Sequence, residues 1–400
     1  MNNKVAKGPL AGIRVIDLGA MVAGPLAATI LSDQGADVIK VEPPGIGDVM
    51  RYLGANCNGV SGLYHCTNRG KRSLALDLKS EGGVELVKKL AAGADVVLQN
   101  FRPGVAERLG IDYESLRVIN PNIIYLSVCG FGDQGPYAHK PAYDNVIQAF
   151  SGVAQSQANI ETGEPVQYYQ LFSDKLTALT GSQAISAALF ARERGEGGQH
   201  IRLSMVDAVA SFLWVDAVGA ATFADPNALE GMNPSRGLKL IKFKDGFGAA
   251  AGVTDAQFRG YCKAFGEDPD DPRFATVNDR NNHAKELVQL IANIAVTASK
   301  MSTAEAMQAM EAEDVPCAVA QHLADLPKHP QMQANNSFAE IDHPQAGIII
   351  EPNNPANFEG TPSPKLRPGA SLGEHTDDIL QELGVGSEQI ARLRENGVVA

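Results

Sequence analysis

Metal-ligand spacing is missing from this chain. Its five cysteines (Cys57, Cys66, Cys129, Cys262, Cys317) include no C-x-x-C pair, and its eight histidines include no pair four residues apart. A metal site is therefore not expected. An odd number of scattered cysteines reads as free thiols in a reducing compartment. No G-x-x-x-x-G-K-[ST] occurs, which argues against nucleotide hydrolysis, and no G-x-S-x-G, which leaves an α/β-hydrolase nucleophile unsupported. No stretch nears the ~18 apolar residues of a membrane span. Met1–Leu10 has no apolar run of signal-peptide length, so the expected location is the cytoplasm. Positive charge is short too: 34 Lys and Arg stand against 46 Asp and Glu, a net charge of −12. That balance argues against non-specific binding to nucleic acid or anionic membranes. It leaves room for an anionic small ligand held by a local basic cluster.

What is present suits a globular protein of 400 residues, 44% hydrophobic and 20% charged. The length exceeds what one core sustains, so two domains are expected. Short runs of apolar residues, most of them rich in Val and Ile, at Ile13–Gly19, Ala36–Glu42, Arg72–Leu78, Asp95–Gln99 and Ile123–Val128 alternate with helical stretches. That alternation predicts an α/β fold with a doubly wound parallel sheet, whose ligands bind outside the carboxyl ends of the strands. The loops Asn100–Gly104 and Cys129–Tyr143 lie at such ends. A strand at His200–Leu203 and an apolar helix over Val206–Phe223 follow. The polar stretch Asp225–Gly237 reads as a boundary, Leu238–Phe243 with Phe247–Val253 as a hairpin, and Asp325–Gly347, with three prolines, as a linker leading back. The domains are then 1–224 with 330–400, and a smaller α+β domain at 225–329.

Three segments carry candidate chemistry. Gly130–Gly135 matches G-x-G-x-x-G, yet Pro136 and Pro141 follow and no helix N-terminus is offered to an anion. It reads as a ligand-contacting glycine turn rather than a dinucleotide fingerprint. The basic run Asn68–Arg72 is either a solvated loop or a landing place for phosphates. Gln170–Arg194 predicts a helix opened by Ser173 or Asp174 and closed at Gly195. On it Asp174, Ala178, Gly181, Ile185 and Ala188 share one narrow face, which would let a ligand or another backbone come close. Taken alone, Asp174 is an N-cap.

These pieces, in this order, resemble the class III CoA-transferase (CaiB/BaiF) family, which includes formyl-CoA transferase, carnitine CoA-transferase and α-methylacyl-CoA racemase. The resemblance runs from Pro9–Leu18 and Gly35–Pro44 through Gly47-Asp48, Asn68–Leu78, Asn100–Gly104, Arg108–Gly110, Gly130–Tyr137 and Tyr143-Asp144. It continues through Asp174 with its helix to Val315–Cys317 and Gly373–Thr376. It implies a Rossmann-like large domain, a smaller domain from the middle of the chain, and an interlocked homodimer. It also implies transfer of CoA between an acyl-CoA and a small carboxylic acid, with coenzyme A as the substrate's carrier and Asp174 as the nucleophile. The CoA contacts it implies are Leu76, Lys79, Asn100, Phe101, Arg108, Leu109 and Tyr143, with plain core packing the other reading of Leu76 and Leu109. An ionised Asp needs no activating base, its reference pKa being about 3.9. Racemases carry a His where this chain has Tyr143, and formyl-CoA transferases a Gln at Val22 and a glycine run near Leu229–Asn233. An acyl-CoA racemase or isomerase, and a non-catalytic CoA-binding protein, are the alternatives.

Overall fold

Six short strands, most of whose side chains are buried, form one parallel sheet in the order β3-β2-β1-β4-β5-β6. They are β1 Arg14–Asp17, β2 Asp37–Glu42, β3 Arg72–Ala75, β4 Val96–Gln99, β5 Ile124–Cys129 and β6 Gln199–Ser204. The computed structural model describes residues 7–229 and 239–400. The sequence-predicted glycine difference near Leu229–Asn233 and the end of the polar boundary fall mostly outside them.

The period of two along each strand divides the core. Ile16, Ile39, Val97 and Tyr125 face one side, under α2 (Glu81–Ala92), α3 (Tyr113–Ile119) and the C-terminal helix Thr376–Glu382. Val15, Val38, Val96, Leu98 and Leu126 face the other, under α1 (Ala23–Asp33), α4 (Asp144–Phe150) and α5 (Phe172–Ala191). Both faces are covered, as Val/Ile-rich parallel strands require. Gly35 ends α1 at φ +100°, where a Cβ would strike the carbonyl oxygen of Lys7.

The chain divides into Met1–Leu229 with Gln333–Ala400, and Glu230–Met332. The second unit holds an antiparallel three-stranded sheet (Ile241–Lys242, Phe247–Ala250, Cys317–Val319) and helices including Asp255–Ala264, Ala284–Ala298 and Thr303–Ala312. Phe243, Phe258, Phe274, Ile294 and Met310 form its core.

Three local expectations need correction. The apolar helix after β6 spans only Met205–Leu213. The proline-bearing stretch after 325 is not all linker: Phe338–His343 pairs antiparallel with Gly347–Pro352. The basic run Asn68–Arg72 is neither solvated nor free for phosphate. Arg69 reaches Asp33 (2.7 Å) and Glu351 (3.1 Å), Lys71 is buried against Asp17 (2.8 Å), and Arg72 reaches Asp37 and Glu382 (both 2.7 Å).

Candidate functional site

Asp174 is not the N-cap. α5 begins at Phe172, Leu171 caps it without a side-chain bond, and Asp174 is its third residue. The carboxylate at this helix start comes from elsewhere: Asp144 Oδ1 accepts the backbone N–H of Asp174 at 3.0 Å. Asp144 opens α4 and is itself buried. Its Oδ2 accepts from Gln148 Nε2 at 2.6 Å, and Gln148 Oε1 accepts the N–H of Tyr168 at 2.8 Å. One face of α4 thus grips both the chain entering α5 and its first turn.

The Asp174 side chain is half-buried and, among the described residues, pairs with no cation. Burial, and then the Asp144 carboxylate, push its carboxyl up to about 7. A group expected to stay ionised throughout the neutral range instead titrates within it.

The narrow face of α5 serves packing within the chain. A Cβ on Gly181 would lie 3.1 Å from Leu126 Cδ2 and 3.7 Å from Ala27 Cβ, so the glycine lets α5 close onto β5 and α1. Of the two expected uses of this face, close approach of another backbone is the one seen at Gly181. It also fixes a register. α1 leads into β2 and α5 into β6, so both helices run from the carboxyl to the amino edge of the sheet. Asp174 precedes Gly181 by seven residues on α5 and Ala23 precedes Ala27 by four on α1, so Asp174 and the turn that enters α1 both lie toward the carboxyl edge. That turn is held by Asn100, whose Oδ1 accepts the N–H of Ala20 (2.8 Å) and whose Nδ2 donates to its carbonyl (2.7 Å).

The residues assigned to CoA by resemblance do not all reach solvent. Leu76 is sealed in the core and bridges to Val399, so its packing reading stands and its side chain offers nothing to a ligand. Asn100 has its amide engaged by Ala20. Phe101 and Leu109 are partly buried against the same core. Lys79 and Arg108 are exposed and form no ion pair among the described residues. Tyr143 is exposed directly before Asp144. The two strand-end loops meet at a cleft lined by Phe101, Arg102, Ser127, Asp133, His200 and Asp207. There Ser127 Oγ sits 2.8 Å from His200 Nε2, and burial holds the imidazole below its ordinary pKa. Sequence reading missed Gln148 and His200; the alternation Tyr125, Ser127, Cys129 on β5 is the signal that places polar groups under this cleft. Gly132 turns at φ +94° and no helix starts before Asp144, as the proline-bearing segment predicts.

A family model described as CoA-transferase family III matches residues 10–376. The chain is 36% identical over 391 residues to the succinate–glutarate CoA-transferase of Agrobacterium fabrum, covering 94% of this chain and 96% of that protein. It is 36% identical over 378 residues to the acetyl-CoA:oxalate CoA-transferase of Acetobacter aceti, covering 91% and 92%. A crystal structure of a CaiB/BaiF family protein from Brucella suis superposes with a TM-score of 0.80 at 31% identity, covering 94% of this chain and all of the other.

Proposed function

Because the chain belongs to CoA-transferase family III, we propose that it moves CoA from an acyl-CoA to a small carboxylic acid through covalent intermediates on Asp174. The observation that carries this reading is the placement of Asp174: a half-buried carboxyl in the first turn of α5, without a cation partner among the described residues, at the carboxyl edge of the sheet. In its ionised form an Asp174 oxygen attacks the thioester carbonyl. The C–S bond breaks, giving an aspartyl mixed anhydride and CoA thiolate. The thiolate then attacks the aspartyl carbonyl, leaving an enzyme thioester and releasing the donor acid as its carboxylate. The acceptor carboxylate runs the two steps in reverse. No proton is gained or lost across the cycle. Backbone N–H groups of nearby turns are suited to the developing oxyanions.

Lys79 and Arg108 are the proposed phosphate partners of CoA, and Phe101 the proposed contact for its adenine. The named relatives act on short dicarboxylates, succinate, glutarate and oxalate, so acids of that class head the candidate acceptors. A homodimer is supported by the exposed apolar run Phe212, Trp214, Val215 and Phe223, which a lone chain leaves in water.

The test is a donor–acceptor screen with mass detection of CoA thioesters, on the wild type and on Asp174→Ala. Transfer by the wild type and none by the variant is expected. Near-wild-type transfer by Asp174→Ala, or deuterium wash-in at the α-carbon without any acceptor acid, would overturn the reading.

A further inference from the structure

Met21 holds a left-handed backbone, φ +64°, in the turn between β1 and α1. An unbranched residue with a Cβ adopts that conformation at a cost, and it persists only where its surroundings over-determine it. Here they do. Both carboxylate oxygens of Asp48 accept the N–H of Met21, at 3.3 and 3.1 Å. The residues just before are gripped as tightly: Asp17 Oδ1 accepts the N–H of Gly19 at 2.9 Å, Lys40 Nζ donates to the Gly19 carbonyl, and Asn100 engages both backbone groups of Ala20.

The clamp is rigid because it is buried. Asp48 is 4% exposed and pairs with Lys40, 1% exposed, at 3.1 Å. Burial pulls the Lys40 ammonium down, but Asp17, Asp48 and Glu42 more than offset it and keep the lysine charged. Asp48 also accepts the N–H of Met50 at 3.0 Å, which ties it to the short helix Val49–Tyr52. Side chains from β1, β2, the loop after β2 and the loop after β4 therefore specify three consecutive residues of backbone. The turn they shape enters α1, whose N-terminus has no side-chain cap. α1 packs against α5 at Ala27 and Gly181, and both helices start at the carboxyl edge of the sheet.

From this we infer that Asp48 is a positioning residue for the reaction at Asp174: through its buried pair with Lys40 it imposes the left-handed turn at Met21 and so sets the uncapped start of α1 beside the nucleophile. Asp48 does not touch the reacting atoms. The inference rests on the proposed chemistry at Asp174, but the conformational claim stands on its own geometry.

The test uses a rescue that a merely structural role would not produce. Asp48→Asn keeps the shape and removes the charge that binds Lys40. In wild-type background it is expected to lower kcat by about 10- to 100-fold, the usual effect of a displacement near 1 Å at a reacting centre, with KM for acyl-CoA changed by no more than about 3-fold. Glycine adopts positive φ without a clamp. The double variant Asp48→Asn/Met21→Gly should therefore recover kcat to within about 5-fold of wild type. If Asp48→Asn does not fold, Met21→Val tests the same point with the ion pair intact, since a branched Cβ resists positive φ; its kcat should fall likewise. Crystal structures decide the claim without activity: residue 21 should leave the left-handed region in Asp48→Asn and return to it in the double variant. A positive φ at Met21 in Asp48→Asn, unchanged kcat in Met21→Val, or no recovery in the double variant would overturn the inference. Absence of transfer in the wild type would instead sink the reading of the reaction and leave the crystallographic comparison to judge this one.

Discussion

Asp144 Oδ1 accepts the backbone N–H of Asp174 at 3.0 Å, so one carboxylate holds the backbone of another at the start of α5. The same contact puts two negative groups side by side. Burial and the Asp144 charge together push the Asp174 carboxyl up to about 7. A reaction that needs the ionised form must then gain rate as pH rises through neutrality. In Asp144→Asn the amide oxygen still accepts from Asp174, but the like charge is gone. The midpoint of the pH–rate profile is expected to move toward acid while staying above the ordinary carboxylate range, because burial remains. A profile that does not move would remove Asp144 from the tuning of Asp174.

The raised pKa also marks stability. Folding favours the neutral carboxyl of Asp174, so that contribution is complete below the unfolded pKa and lost as pH rises through about 7. Asp174→Asn, neutral at every pH, should therefore stabilise the chain more at pH 8 than at pH 5. The expected difference is roughly 1–2 kcal/mol once the solvent that reaches this half-buried group is allowed for. Urea midpoints at the two pH values check it, and equal effects at both would contradict it.

Gly181 closes α5 onto α1 and β5, with 3.1 Å between a Cβ there and Leu126 Cδ2. Gly181→Leu should force the helix outward and lower stability by about 1–3 kcal/mol or more. Denaturant unfolding measures the loss. A neutral effect would mean the helix pair has slack that the packing does not show.

Arg69 joins Asp33 at the end of α1 to Glu351 on the C-terminal hairpin, and burial raises the pKa of both carboxyls against its pull. Arg69→Met leaves two buried acids without a cation and should cost about 3–5 kcal/mol, as removal of one partner from a buried pair does. The hairpin Phe338–Pro352 should become sensitive to limited proteolysis. Unchanged digestion would show that the hairpin is held by other contacts.

The sheet was legible because parallel strands buried on both faces need short, mostly apolar runs, and these recur between helical stretches. The hairpin at 338–352 was not, since its first strand alternates acidic and apolar residues between Pro330 and Pro344 and resembles a linker. The fate of Asn68–Arg72 was hidden for another reason: its partners Asp17, Asp33, Asp37, Glu351 and Glu382 are spread over the whole chain, and only folding brings them together. At the site, ordered motifs pointed to Asp174. Its raised pKa depends on burial and on a carboxylate 30 residues away, neither of which local pattern encodes. The burial of the Leu76 side chain and the engagement of the Asn100 amide by Ala20 are set by tertiary packing, which residue type alone does not reveal.

The most direct measurement is the intact mass of the protein after incubation with an acyl-CoA and no acceptor acid, followed by peptide mapping. An aspartyl–CoA thioester on the peptide that contains Asp174, discharged by adding an acceptor acid and absent in Asp174→Ala, is the expected result. Transfer that proceeds with no adduct on Asp174, or with the adduct on another residue, would contradict the account.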